Sequence, residues 1–215
     1  MFEGYSPETV DFLWGIRMNN NREWFMEHKN QYVKTLYEPT RALGAHLFQP
    51  YIDKSGCLLK VSRIYRDARL HHPLPYKESL WICIRQDVEW WAENPCLFFE
   101  INPEGVDYGF FIWKPRPATM KQFRQTIAGN PREFLEMIRS VEKAVGKKIT
   151  ADVYKRPEPC ENPELERFYL WKGMIDCTFH EDFSEETFGP GLGDRVLEVF
   201  QKLTPLYDYF NRFIV

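Results

Sequence analysis

The sequence predicts an α+β fold, one domain over residues 1–215 with a largely antiparallel sheet packed by helices. Runs with a period of two, rich in β-branched and aromatic residues, are gathered between residues 58 and 113. Helical periodicity lies on both sides of that block without regular β-α alternation, which argues against a parallel doubly wound sheet. A chain of 215 residues with 44% hydrophobic side chains is long enough to bury a substantial core.

Ser6-Pro7-Glu8 starts the first helix: a capping hydroxyl, a proline whose missing N–H costs nothing there, and an acid facing the dipole. Val10, Leu13 and Trp14 mark its apolar face, and Asn19, Asn20 and Asn21 end it. Asn21 caps a second helix carrying Trp24, Phe25, His28, Tyr32 and Leu36 at steps of three and four, and Pro39 starts or kinks a third segment to about Leu47. Strands are expected at 58–65, 80–85, 97–102 and 108–113, with Pro103-Glu104-Gly105 joining the last two as a hairpin. Alternation sets Leu97, Phe99 and Ile101 on a packed face and Phe98, Glu100 and Asn102 on the other. Helices resume after Pro117 with Met120, Phe123 and Ile127, then from an Asn130 capping box to Gly146. Asn162-Pro163-Glu164 opens a short helix, 174–179 reads as a fifth strand, and Val196, Val199, Phe200, Leu203 and Tyr207 line a final helix.

Composition removes several function classes. Lys plus Arg at 28 against Asp plus Glu at 31 gives a net charge of −3 and a pI near 6.0, so no global basic field exists for duplex nucleic acid. The longest apolar clusters, such as Tyr108 to Trp113, fall far short of the ~20 residues of a membrane span, and Met1-Phe2-Glu3-Gly4-Tyr5 lacks the features of a secretory signal. A soluble cytoplasmic protein is therefore expected. Cys57, Cys83, Cys96, Cys160 and Cys177 form an odd, scattered set without a C-x-x-C pair, which predicts reduced, mostly buried thiols.

Charge is concentrated in one place. Residues 60–77 hold Lys60, Arg63, Arg66, Arg69 and Lys77 against the single acid Asp67. Guanidinium groups match phosphate and carboxylate geometry, and Pro73 and Pro75 stiffen the chain that presents Tyr76 and Lys77, so a preformed anion site is physically reasonable. Strand parity puts Arg63, Tyr65, Asp67 and Arg69 on one face and Arg66 with Ile64 on the other. The competing expectation is scaffold: residues 158–186 carry nine Asp or Glu against Arg167 and Lys172, and can supply the arginines with salt-bridge partners.

No cofactor or metal is expected. The five histidines lack the H-E-x-x-H spacing, although His71-His72 and His180-Glu181-Asp182 could in principle converge. Neither G-x-S-x-G, a papain-like Cys context, a P-loop nor a dinucleotide fingerprint is present, so the sequence supplies no reaction. Aromatic residues are abundant, at 17 Phe, 11 Tyr and 7 Trp. Trp81, Trp90, Trp91, Phe98, Phe111 and Trp113 fit core and interface packing better than a base-stacking platform.

Asn20-Asn21-Arg22-Glu23-Trp24-Phe25 with Tyr32, followed by Arg63-Ile64-Tyr65-Arg66-Asp67-Ala68-Arg69 and Pro75-Tyr76-Lys77, resembles the family known as domain of unknown function 2461. Gly109-Phe110-Phe111-Ile112-Trp113-Lys114-Pro115, Arg124 with Ile127, Leu165 to Gly173 and Pro205 to Tyr209 extend the resemblance over almost the whole chain. The family brings no established activity. Its usual lysine-rich run after the third arginine is replaced here by Leu70-His71-His72-Pro73-Leu74, which shifts the weight onto Arg63, Arg66, Arg69 and Lys77.

Two functional expectations follow. In the first, Arg63, Arg66, Arg69 and Lys77 bind a small phosphate- or carboxylate-bearing ligand, with or without transforming it. Asp67 then orients an arginine or acts as a base, and Tyr76 packs or hydrogen-bonds. The resemblance implies that Asn20, Asn21 and Trp24 border this site. In the second, exposed aromatics on a sheet face or edge hold a protein partner or a second copy of the chain. Neither reading uses a membrane or nucleic acid.

Overall fold

A computed structural model describes residues 1–67, 69, 73–156 and 159–212. It is an α+β fold on one six-stranded antiparallel sheet of order β1-β2-β3-β4-β6-β5. The strands are β1 (Cys57–Val61), β2 (Leu80–Gln86), β3 (Pro95–Asn102), β4 (Gly105–Ile112), β5 (Thr150–Val153) and β6 (Trp171–Asp182). Chain contacts divide the molecule into two compact units, residues 1–84, 98–108 and 179–197, and residues 85–97, 109–178 and 198–215.

In the first unit, α1 (Pro7–Met18) begins at Ser6, which with Thr9 closes a capping box. Its buried face is Thr9, Phe12, Leu13 and Ile16 rather than Val10, Leu13 and Trp14. Trp14 is 40% exposed with the Arg17 guanidinium over its ring, because steps of three and four from Leu13 lead to 9 and 16, not to 14. Asn21 caps α2 (Arg22–Glu27), accepting from the Trp24 N–H at 3.0 Å. The chain continues through α3 (Lys29–Gln31) and a π-helical stretch, Tyr32–Tyr37, into α4 (Glu38–Phe48). Pro39 explains the widened turn. It has no N–H for the Thr35 carbonyl four residues back, and that carbonyl accepts instead from the buried Thr9 hydroxyl at 2.7 Å.

Leu97, Phe99 and Ile101 are fully buried as the alternation of β3 requires, and Tyr5 stacks on Phe99 at 6.2 Å within the first unit. The β3–β4 hairpin turns through Pro103 and Glu104, with Asn102 Oδ1 accepting from the Glu104 and Gly105 N–H groups.

The second unit carries α5 (Pro117–Gly129), α6 (Pro131–Val145), α7 (Glu166–Tyr169) and most of α9 (Gly191–Asn211), while α8 (Glu185–Phe188) belongs to the first. Asn130 caps α6 and Gly146 ends it at φ 69°, a left-handed conformation that favours glycine. Phe123 of α5 is the centre of an aromatic core, 5.7 Å from Trp171 and 5.4 Å from Phe210.

Three further expectations need correction. The strand placed at 58–65 ends at Val61, and the described residues that follow are irregular up to β2 apart from a bridge between Tyr65 and Tyr76. The strand placed at 174–179 runs from Trp171 to Asp182, and β5 pairs with it antiparallel as an edge strand. Cys83 on β2 and Cys96 on β3 are disulfide-bonded rather than reduced, while Cys57, Cys160 and Cys177 are in no disulfide. Spacing in sequence could not indicate this, because it is strand pairing that makes β2 and β3 neighbours. No helix among the described residues is long and apolar enough to cross a membrane.

Candidate functional site

Beyond Val61 the chain pairs with the segment around Tyr76. Ser62 N–H donates to the Trp81 carbonyl at 2.8 Å, Arg66 N–H to the Pro75 carbonyl at 2.9 Å, and Lys77 N–H to the Ile64 carbonyl at 2.7 Å. Asn20 clamps this ribbon from the α1–α2 turn. Its Nδ2 donates to the Tyr76 carbonyl and its Oδ1 accepts the Tyr76 N–H, both at 3.0 Å, so one side chain mimics a strand partner. Beneath the ribbon, Phe25 stacks on Tyr76 at 4.2 Å and meets Tyr65 edge-on at 5.8 Å. Burial, with Tyr65 adding to it, raises the Tyr76 phenol above its ordinary pKa.

On the ribbon lies an open groove of about 380 Å³ lined by Lys60, Ser62, Arg63, Tyr65, Arg66, Asp67, Lys77 and Trp81. Lys60 and Arg63 are exposed, and neither has an ion pair with a described residue. Arg66 is half-buried. Its Nε donates to the Tyr76 carbonyl at 2.6 Å, and its guanidinium lies 3.7 Å from Glu78, which also takes Arg17 at 2.7 Å. Lys77 Nζ sits 5.4 Å from the centre of the Trp81 ring. Its pKa is lowered, first by burial and then by Lys60, Arg66 and Arg63, with Glu100 opposing. Glu100 is itself raised, chiefly by burial and also by Asp107, while a hydrogen bond from Ser79 and the charge of Lys77 pull it down.

The groove thus gathers Arg63, Arg66, Asp67 and Lys77 of the expected site, with Tyr76 immediately below. Arg69 does not line it: it is largely exposed and folds back on Asp67, donating Nε to Oδ1 at 3.0 Å and NH2 to Oδ2 at 2.6 Å. Asn21 and Trp24 also lie elsewhere. The first caps α2, and the second stacks on His28 at 4.0 Å and packs against Phe12 and Gly15. His71 and His72 lie outside the described residues. The acidic stretch expected to neutralise the arginines does not serve them among the described residues, since Glu164 pairs with Arg139 and Glu181 with Arg195. Short-range acids, Asp67 and Glu78, take that part instead. Lys60 and Trp81 were missed as site residues. Lys60 was visible only as a member of the charge cluster at 60–77, and Trp81 reaches the groove only through strand pairing.

Away from the groove, His180 bridges two carboxylates, Nδ1 to Asp107 at 2.8 Å and Nε2 to Asp182 at 3.2 Å. Asp107 most, then Asp182, hold the imidazolium above its ordinary pKa against partial desolvation. A raised folded-state pKa stabilises the fold fully below the unfolded value of about 6.5, and the contribution is lost as pH rises through the folded value. The gap in Tm between wild type and His180→Asn should therefore narrow as pH is taken from 5 to 9. A gap independent of pH would contradict the assignment. The exposed tryptophans Trp90 and Trp113 lie in the second unit, and the Arg116 guanidinium covers Trp90 at 5.4 Å.

Among curated proteins none matches this chain. A family model described as "Conserved hypothetical protein (DUF2461)" matches residues 8–209, a span that takes in the Asn20 clamp, the ribbon and the cationic groove. The chain belongs to this family of conserved hypothetical proteins.

Proposed function

We propose that the protein binds a small phosphate- or carboxylate-bearing ligand in the groove formed by Lys60, Arg63, Arg66 and Lys77. The observation that carries this reading is the imbalance of charge. Four cationic side chains meet around 380 Å³, while the groove's one carboxylate, Asp67, is held by Arg69. Lys60 and Arg63 are the free hands of the site; Arg66, fixed by the Tyr76 carbonyl and Glu78, gives it a rigid back. Asp67, with both oxygens engaged by Arg69, suits an orienting role better than that of a base.

A thermal-shift panel of phosphate, nucleotides, sugar phosphates, carboxylates and divalent metals tests the proposal. A ligand present at 100 times its Kd adds about 2.7 kcal/mol, several degrees in Tm for a chain of this size. A shift confined to one anion class is expected, and an unresponsive Tm across all anions would refute the proposal. A second reading, an interaction face using Trp90 and Trp113, is favoured by their exposures of 61% and 54%. It predicts self-association or a captured partner that Trp90→Ala weakens, read by solution mass.

A further inference from the structure

Lys77 differs from the other cations of the groove. Lys60 and Arg63 are exposed, whereas Lys77 is half-buried on the ribbon, with Trp81 closing one side of its amine at 5.4 Å. Three like charges, Lys60, Arg66 and Arg63, act on it and Glu100 on β3 opposes them, while Asp67 of the groove is held by Arg69 and Glu78 lies against Arg66 and Arg17. An amine so placed is desolvated and crowded by cations, the setting in which a lysine loses its proton readily and becomes a nucleophile towards carbonyl carbon.

We propose that Lys77 forms an imine with a small carbonyl compound that also carries a carboxylate or phosphate, the anion being held by Arg63, Arg66 and Lys60. The inference rests on the anion-binding reading above and deepens it by naming the substrate class. The Nζ lone pair adds to the carbonyl carbon, a C–N bond forms, and the carbonyl π electrons become an alkoxide that takes up a proton. The nitrogen, cationic after attack, gives up one proton, which leaves a neutral carbinolamine. Its hydroxyl takes up one proton and leaves as water while the nitrogen lone pair forms the C=N bond, and the resulting iminium keeps its remaining proton or releases it as the neutral imine. Amine and carbonyl compound thus become imine and water, and neither oxidant nor reductant is needed. Glu100 on β3, the acid whose charge acts on Lys77, is a proton source for the dehydration. The cationic surroundings favour the neutral amine before attack, and the anion of the substrate offsets them once it is bound.

Glyoxylate, which joins a carboxylate to an aldehyde, is the probe. The full-length protein is incubated with it at neutral pH, reduced with cyanoborohydride, digested and mapped by mass spectrometry. Lys77 should be labelled ahead of every other lysine, Lys60 included. Labelling should need about tenfold less glyoxylate than the uncharged aldehyde propanal, the factor that one added charge-assisted hydrogen bond supplies. Lys77→Arg should abolish labelling at that position, and circular dichroism shows whether the variant is folded. Label spread evenly over surface lysines, or concentrated on Lys60, would overturn the inference. The phosphate-induced Tm shift of the wild type is read in parallel. A shift without Lys77 labelling removes the imine and leaves anion binding, whereas absence of both removes the two together.

Discussion

Gly109→Ala should lower stability by about 3 to 5 kcal/mol, a fall of roughly 10 °C or more in Tm. Gly109 lies in β4 with φ +147°, and a Cβ built there would stand 2.0 Å from the Cys177 carbonyl oxygen of neighbouring β6. The obstacle is backbone in the middle of a sheet, so it cannot be relieved by turning a side chain. The backbone angle adds its own strain for any residue with a Cβ. Gly129 is the contrast. It is the exposed last residue of α5, nothing lies within 4 Å of a Cβ placed there, and Gly129→Ala should raise stability by about 0.4 to 1 kcal/mol. Thermal melts of the two variants check the pair, and similar effects at both positions would contradict this account of the β4–β6 contact.

Asn20→Ala should cost about 2 to 3 kcal/mol and weaken anion binding together. Both hydrogen bonds of the side chain go to the Tyr76 backbone, across 56 residues of sequence. After truncation the Tyr76 carbonyl keeps Arg66 Nε, whereas its buried N–H loses its acceptor. That asymmetry makes Asn20→Asp informative as well. It restores the acceptor for the N–H but removes the donor, and sets a carboxylate against a carbonyl that still has Arg66. It should therefore be less damaging than alanine. Chemical denaturation of the three proteins measures this directly, and an Asn20→Ala variant as stable as wild type would show that the clamp is not holding the ribbon.

The role of Asn20 illustrates where sequence reasoning stops. The paired asparagines stand out in the sequence, but the resemblance implied only that they border a site. One proves to be a helix cap and the other a clamp on the ribbon around Tyr76. Caps and helix ends were readable because their partners lie within four residues, as at Ser6, Asn21, Asn130 and Gly146. The alternation of Leu97, Phe99 and Ile101 was equally plain, since one face of β3 is wholly buried. The edge strand β5 was not, because three of its four residues are exposed and no alternation marks it. Within the groove, Arg63, Arg66 and Lys77 were legible from charge density alone. The division of labour among the arginines was not. Whether a guanidinium faces a ligand, a carbonyl or a carboxylate depends on contacts such as Arg66 with Tyr76 and Arg69 with Asp67, and parity settles only the side of the chain.

The free cations offer the most direct test of the groove. Because Lys60 and Arg63 are exposed and pair with no described residue, replacing both with alanine should leave the unliganded Tm unchanged. Pyrophosphate titrated calorimetrically into wild type and Lys60→Ala/Arg63→Ala isolates their contribution to binding. A saturable wild-type isotherm, weakened about 10- to 100-fold in the double variant, is the predicted result. Equal affinity in the two proteins, or no heat of binding in the wild type, would contradict the assignment of this groove as an anion site.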